Sequence, residues 1–150
     1  MGAENTIVIK GTGLRRERVA NAAITPGHLV EVMTSGNLRV HATAGGIAQA
    51  AFAIEDELQG NPISTDYATD AVVQYNIFEK GDVVNALIAN GENIAIGNYL
   101  VSAGDGTLEL MRVDSSAEIT EQYPVAIALE DCDMSDSSAV DDPRCHAEIL

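Results

Sequence analysis

Apolar residues fall in short runs along the chain: "TIVI", "HLVEVM", "NLRV", "AQAAFAI", "AVVQYNIF", "VVNALIA", "NYLV", "TLELM", "VAIAL" and "CHAEIL". Gly, Asn, Asp or Pro interrupts them, and no long segment keeps the period of an amphipathic helix. Short runs with turn residues between them predict strands joined by sharp turns. Asn90-Gly91 in "IANGEN" suits a tight hairpin with positive φ at both central positions. "SAGDGTLEL" supplies Gly104, Asp105 and Gly106 for another sharp turn. A helix is predicted only at "TGLRRERVANA", with a single turn near "SSAEITEQY".

One pattern occurs twice. "ITPGHLVEVMTSGNLRV" is followed, after a spacer, by "AFAIED"; "IAIGNYLVSAGDGTLELM" is followed, after a longer one, by "AIALED". Nine positions separate Gly27 from Gly36, and the same number separates Gly97 from Gly106. The second glycine then precedes Leu38-x-Val40 in one copy and Leu108-x-Leu110 in the other. Each copy reads as a strand, a glycine turn, a return strand, and a third strand that leaves through a carboxylate pair. The predicted fold is all-β: a compact, Gly-turned β-barrel or β-sandwich of two related units, with an N-terminal arm and little helix. Its parts are an arm over residues 1–23 and a body over 24–150. The body holds units at about 24–58 and 94–133, with a central hairpin at 67–93. The near-continuous apolar runs of that hairpin suit a domain core or a subunit contact.

Charge adds an asymmetry. The net charge is −15, which argues against nucleic acid, since phosphate binding draws on Lys and Arg. Residues 1–18 hold Lys10, Arg15, Arg16 and Arg18 against Glu4 and Glu17, a net of +2, so the remainder carries −17. A basic arm leads an acidic body. Within the arm, "IVIKGTGLRRERVANA" reads either as a strand with a solvated turn or as a docking segment. In the second case Arg15, Arg16 and Arg18 pair with a partner's carboxylates, a task for which the planar guanidinium is well shaped. No apolar run approaches membrane-spanning length and no leader is evident, so a cytoplasmic origin without membrane attachment is expected. Cys132 and Cys145 are too few for a disulfide scaffold and are expected buried and free.

The chemistry-bearing residues do not assemble into a motif. Glu55, Asp56, Glu130 and Asp131 could serve an enzyme or carbohydrate-binding module if all four faced one cleft. Adjacent strand residues point to opposite faces, however, so each pair reads as an acidic strand end. "DCDMSDSSAVDD" holds Asp131, Asp133, Asp136, Asp141 and Asp142, but matches a calcium loop only at its first two ligand positions. His28, His41 and His146 lack zinc-ligand spacing. Ser135, Ser137 and Ser138 lack a nucleophile elbow, and "GTG" at Gly11 lacks the setting of a phosphate loop. The lysines, Lys10 and Lys80, sit at neither candidate hairpin tip, which argues against a lipoyl or biotinyl carrier. No catalytic residue, metal ligand or cofactor is expected.

Residues 20–133 resemble the capsid decoration, or cement, proteins of tailed bacteriophages. The resemblance lies in "GHLVEVMTSGNLRVHATAGG", "AFAIEDE", "YNIFEKGDVVNALIANGENIAIGNYLVSAGDGTLEL" and "PVAIALED". It implies a β-rich, non-enzymatic structural protein on the outer capsid surface of a virion. It also implies binding to the major capsid protein as a homotrimer and reinforcement of the expanded head. The acidic run "DCDMSDSSAVDDPRC" has no counterpart in that pattern. Lys10, Arg15, Arg16 and Arg18 are the expected capsid-binding residues.

Overall fold

The computed structural model describes residues 5–112, 121–136 and 143–150. Along them run β1 (Val8–Lys10), β2 (Leu14–Val19), β3 (Val30–Val32), β4 (Leu38–Val40), β5 (Ala51–Ala53), β6 (Val72–Ile77) and β7 (Val83–Leu87). There follow β8 (Asn93–Ile94), β9 (Tyr99–Ser102), β10 (Leu108–Leu110), β11 (Ala126–Ala128), β12 (Cys132–Asp133) and β13 (Arg144–Ile149). The chain is all-β, with no helix among the described residues. A six-stranded antiparallel sheet, β1-β7-β13-β11-β9-β10, packs with a three-stranded sheet, β2-β6-β5, in a sandwich-like arrangement. Two small pairs, β3-β4 and β8-β12, complete it.

Hydrogen bonds extend the repeat well past the sequence pattern. The Gly27 N–H donates to the Ala53 carbonyl and the Gly97 N–H to the Ala128 carbonyl, both at 2.8 Å. The Asn21 N–H donates to the Leu38 carbonyl and the Ala89 N–H to the Leu108 carbonyl, again both at 2.8 Å. Leu38 also bridges Ala20, and Leu108 bridges Ile88, each in parallel. The Ile54 N–H donates to the Gln74 carbonyl as the Leu129 N–H does to that of His146, at 2.9 Å in both. In the first unit β2, β6 and β5 therefore correspond to β7, β13 and β11 in the second. The β3-β4 hairpin corresponds to β9-β10. The structural repeat runs from about residue 15 to 78 and again from about 83 to 150.

The units join through one apolar core. Leu29, Phe52, Ile54 and Phe78 lie on one face of the first unit, since Leu29 bridges Phe52 and Phe52 pairs with Asn76. All four are buried with Val84, Ile88, Leu100, Leu108 and Ile149 of the second unit. Phe52 and Phe78 meet edge to face at 5.9 Å. A separate cluster around Ile24, Leu38, Tyr67 and Tyr75 fills the inside of the first unit.

Three local expectations are corrected. The segment "TGLRRERVANA" is not helical: Leu14–Val19 pairs with Val72–Ile77 residue for residue. Leu, Arg and Glu are good helix formers, but β6 offers a ladder and tertiary pairing overrides propensity. The 67–93 segment does not form a hairpin, because β6 pairs with β2 and β5 while β7 pairs with β1 and β13. At Asn90-Gly91 only the glycine has positive φ, at 85°, so the turn is not the two-residue type that requires it twice. The turn predicted near 115–123 lies largely outside the described residues. Residues 1–23, expected as an arm, contribute β1 to one sheet and β2 to the other. Ile7 within them is fully buried.

Candidate functional site

The recurrent carboxylate pairs are clamps on the backbone. Glu55, buried at the end of β5, accepts from the Ile7 N–H at 3.1 Å and the Thr6 hydroxyl at 2.7 Å. Glu130 occupies the corresponding place after β11 and accepts from the His146 N–H at 3.0 Å. Asp131 accepts from the Ile96 N–H at 2.8 Å, and Asp56 from the Gln59 N–H at 3.3 Å. Four carboxylates thus accept from four different backbone segments; the Gln59 N–H also donates to the Asp56 carbonyl at 3.2 Å. These bonds hold strand ends together and aim no pair at a common reacting atom.

The cysteines depart from expectation. Cys132 and Cys145 are buried but joined as a disulfide, tying β12 to β13. β12 pairs with β8, whereas β13 lies in the main sheet, and their Cα atoms sit 6.1 Å apart, a separation a disulfide spans without distortion. Spacing alone did not reveal this, because the two strands belong to different sheets. Glu130, Cys132 and Cys145 bring potential metal-ligating atoms within 4.8 Å of one another, but the disulfide consumes both thiols. With 13 residues of separation, the cross-link constrains the unfolded chain by about 3 kcal/mol. Reduction under denaturing conditions, or Cys132→Ala with Cys145→Ala, should lower the melting temperature by roughly 10 °C. An unchanged melting temperature in calorimetry would refute this.

In the acidic run, Asp133 accepts from the Ser135 N–H at 2.9 Å and from the Ser135 hydroxyl. Those bonds hold the Asp133 carboxyl below its ordinary value. Ser137, Ser138, Asp141 and Asp142 lie outside the described residues.

Histidines mark the joint between units. His41 is buried; its Nδ1 meets the Ser102 hydroxyl at 2.7 Å and its Nε2 the Ile47 carbonyl at 3.0 Å. His28 accepts the Thr25 N–H on Nδ1 at 3.1 Å, and Asn98 does the same for the Ala95 N–H at 2.8 Å in the second unit. Burial pushes the His28 imidazole below its ordinary value, against the pull of Asp105 and Asp66. The unfolded ring therefore takes up a proton more readily than the folded one. Stability should be full above about pH 6.5 and fall as the pH drops through that value, by at most about 1.4 kcal/mol per unit. His28→Asn copies the second unit and should retain the turn while flattening this dependence. Urea unfolding between pH 5 and 8 tests it, and an equally steep variant would count against it.

The basic residues expected to bind a partner lie on two strands. All six residues of β2 are exposed, including Arg15, Arg16 and Arg18, and Lys10 ends β1 exposed. Arg15 pairs with Glu57 at 3.0 Å, both side chains being about half exposed. Arg18 donates to the Gly36 carbonyl at 2.9 Å. Alternation puts Arg16 and Arg18 on one face of β2 and Arg15 on the other.

No protein-family model and no curated protein sequence matches the chain. Among solved structures it is similar to the N base of head fiber gp8.5 in bacteriophage phi29, with a TM-score of 0.57 and 13% identity. The match covers 93% of this chain and 95% of that one. At this identity the likeness is one of fold, extending over nearly the whole of both chains.

Proposed function

We propose that the chain is a non-enzymatic structural protein of a bacteriophage head. It binds the outer surface of the capsid as a decoration or cement protein and stabilises the expanded head. The observation that carries this reading is the near full-length likeness to the head fiber base of phage phi29. The carboxylates agree with it, because Glu55, Asp56, Glu130 and Asp131 are used to fasten backbone. The partners are the major capsid protein and further copies of the chain in a homotrimer. Lys10, Arg15, Arg16 and Arg18 are the residues proposed to meet capsid carboxylates. The protein is expected on expanded shells of the virus that encodes it, and mixing purified protein with such shells tests this directly. Saturable occupancy, with shells that withstand more heat, is the expected result. Absence of any binding to expanded shells would overturn the reading.

A further inference from the structure

The contact between the two units is one-sided. The first unit presents Leu29, Phe52, Ile54 and Phe78 to the second, which buries them. The second unit carries the corresponding face, since Tyr99 pairs with Ile127 as Leu29 bridges Phe52. Its members are Tyr99, Ile127, Leu129 and Leu150, and nothing among the described residues covers them fully. Tyr99 is 50% exposed, Leu129 37% and Leu150 44%, and Ile96 beside them is 65% exposed. A face that is core in one repeat is bare in the other.

The receiving side shows the converse. In the second unit the outer edge of β7 is occupied: the Asn85 N–H donates to the Ile7 carbonyl and the Leu87 N–H to the Gly27 carbonyl. The Leu29 N–H also donates to the Gly106 carbonyl, at 2.7 Å. In the first unit the corresponding strand, β2, lies at a sheet edge, with no strand on its outer side among the described residues. Glu17 and Val19 are its counterparts of Asn85 and Leu87, and Gly36 is the counterpart of Gly106. Val19 is 39% exposed and Leu87 6%. Val32 is 44% exposed, whereas its counterpart Ser102 is buried.

We infer that copies of this chain associate head to tail. The bare face around Ile96, Tyr99, Leu129 and Leu150 of one copy seats on the β2 edge of the next. This repeats between chains the contact that joins the units within one. The Val19 N–H then donates to the Gly97 carbonyl of the neighbour. Arg16 and Arg18 stand where the joint within the chain has Val84 and Ala86, so their aliphatic stems would meet the apolar face while the charged ends stay in solvent. There they come within reach of acidic groups such as Asp131, which accepts from the Ile96 N–H. A heterologous contact closes into a ring when its rotation permits, and a trimer would be a ring of six units. The inference rests on the self-association proposed above and supplies its interface, without needing the phage-head assignment.

Two full-length variants test it. Val19→Asp blocks the edge and leaves the face intact; Tyr99→Asp blocks the face and leaves the edge intact. Both sites are exposed, and unchanged thermal melting confirms folding; should Tyr99→Asp unfold, Ile96→Asp replaces it. Native mass is measured for the wild type, for each variant alone and for their equimolar mixture. The expected masses are trimer, monomer, monomer and a one-to-one dimer, because only the mixture holds one intact edge and one intact face. A variant that keeps the wild-type mass, a mixture that stays monomeric, or a wild type monomeric at every concentration would each overturn the inference. Shell binding measured in parallel separates this from the capsid-binding role: a monomeric wild type that still occupies shells sinks the inference and the homotrimer, and leaves capsid binding standing.

Discussion

Gly106→Ala should destabilise the chain by about 3 kcal/mol, while Gly36→Ala, its counterpart in the other repeat, should cost about 1 kcal/mol. Both glycines turn a hairpin with positive φ, 88° and 90°, so both substitutions incur the same left-handed backbone strain. Their surroundings differ. A Cβ on Gly106 would lie 2.8 Å from Val40 Cβ and 3.1 Å from His28, at the joint between the units. Among the described residues, a Cβ on Gly36 would meet nothing closer than the Arg18 guanidinium at 3.9 Å. The Gly106 variant must therefore push the two units apart or displace the β4 strand, and close packing makes either costly. Chemical denaturation of both variants under conditions where the protein is monomeric reads the difference. Equal losses would show that backbone strain alone matters and that the joint is loosely packed.

This pair also shows what the sequence disclosed. Gly27, Gly36, Gly97 and Gly106 stand out because positive φ restricts the choice of residue, so the hairpins β3-β4 and β9-β10 were legible. So were β5 and β11, through "AFAIED" and "AIALED", whose glutamates must reach the same kind of backbone target. The outer strands of each unit were not. "LRRERV" in β2 and "VVNAL" in β7 hold equivalent places in the hydrogen-bond pattern, but one is exposed and the other fully buried. Burial selects apolar residues and exposure does not, so duplicated positions lost any common chemistry. β6 and β13 likewise agree only in their final isoleucine, Ile77 and Ile149. The hydrogen-bond repeat therefore extends past the stretches in which the sequence pattern repeats. The disulfide was illegible because it depends on which strands meet, and Cys145 corresponds to Val73, which needs no partner.

Replacing Arg15, Arg16 and Arg18 together with alanine should weaken binding to expanded shells at least 100-fold and leave the fold nearly intact. All three lie on the exposed strand β2, so little apolar burial is lost. The Arg15–Glu57 pair is half exposed on both sides, and such surface pairs are worth about 0.5 kcal/mol. Arg18 gives up one exposed bond to the Gly36 carbonyl, a loss of about 1 kcal/mol. At a desolvated contact the same guanidinium groups gain far more, about 1.5–3 kcal/mol for each charge-assisted bond. Even two such contacts amount to more than 100-fold in affinity. Point substitution is the informative change. Deleting residues 1–18 would also remove β1, most of β2 and the buried Ile7, and with it the N–H that Glu55 accepts. The truncated chain is expected to unfold, so its failure to bind would say nothing about the arginines. Raised salt should weaken the wild type and have less effect on the triple variant, since screening acts on charges that the variant lacks. Native mass measured alongside separates a lost shell contact from a lost contact between copies. Wild-type occupancy by a folded triple variant would show that the shell is met elsewhere, and the arginines of β2 would then serve only the contact between copies.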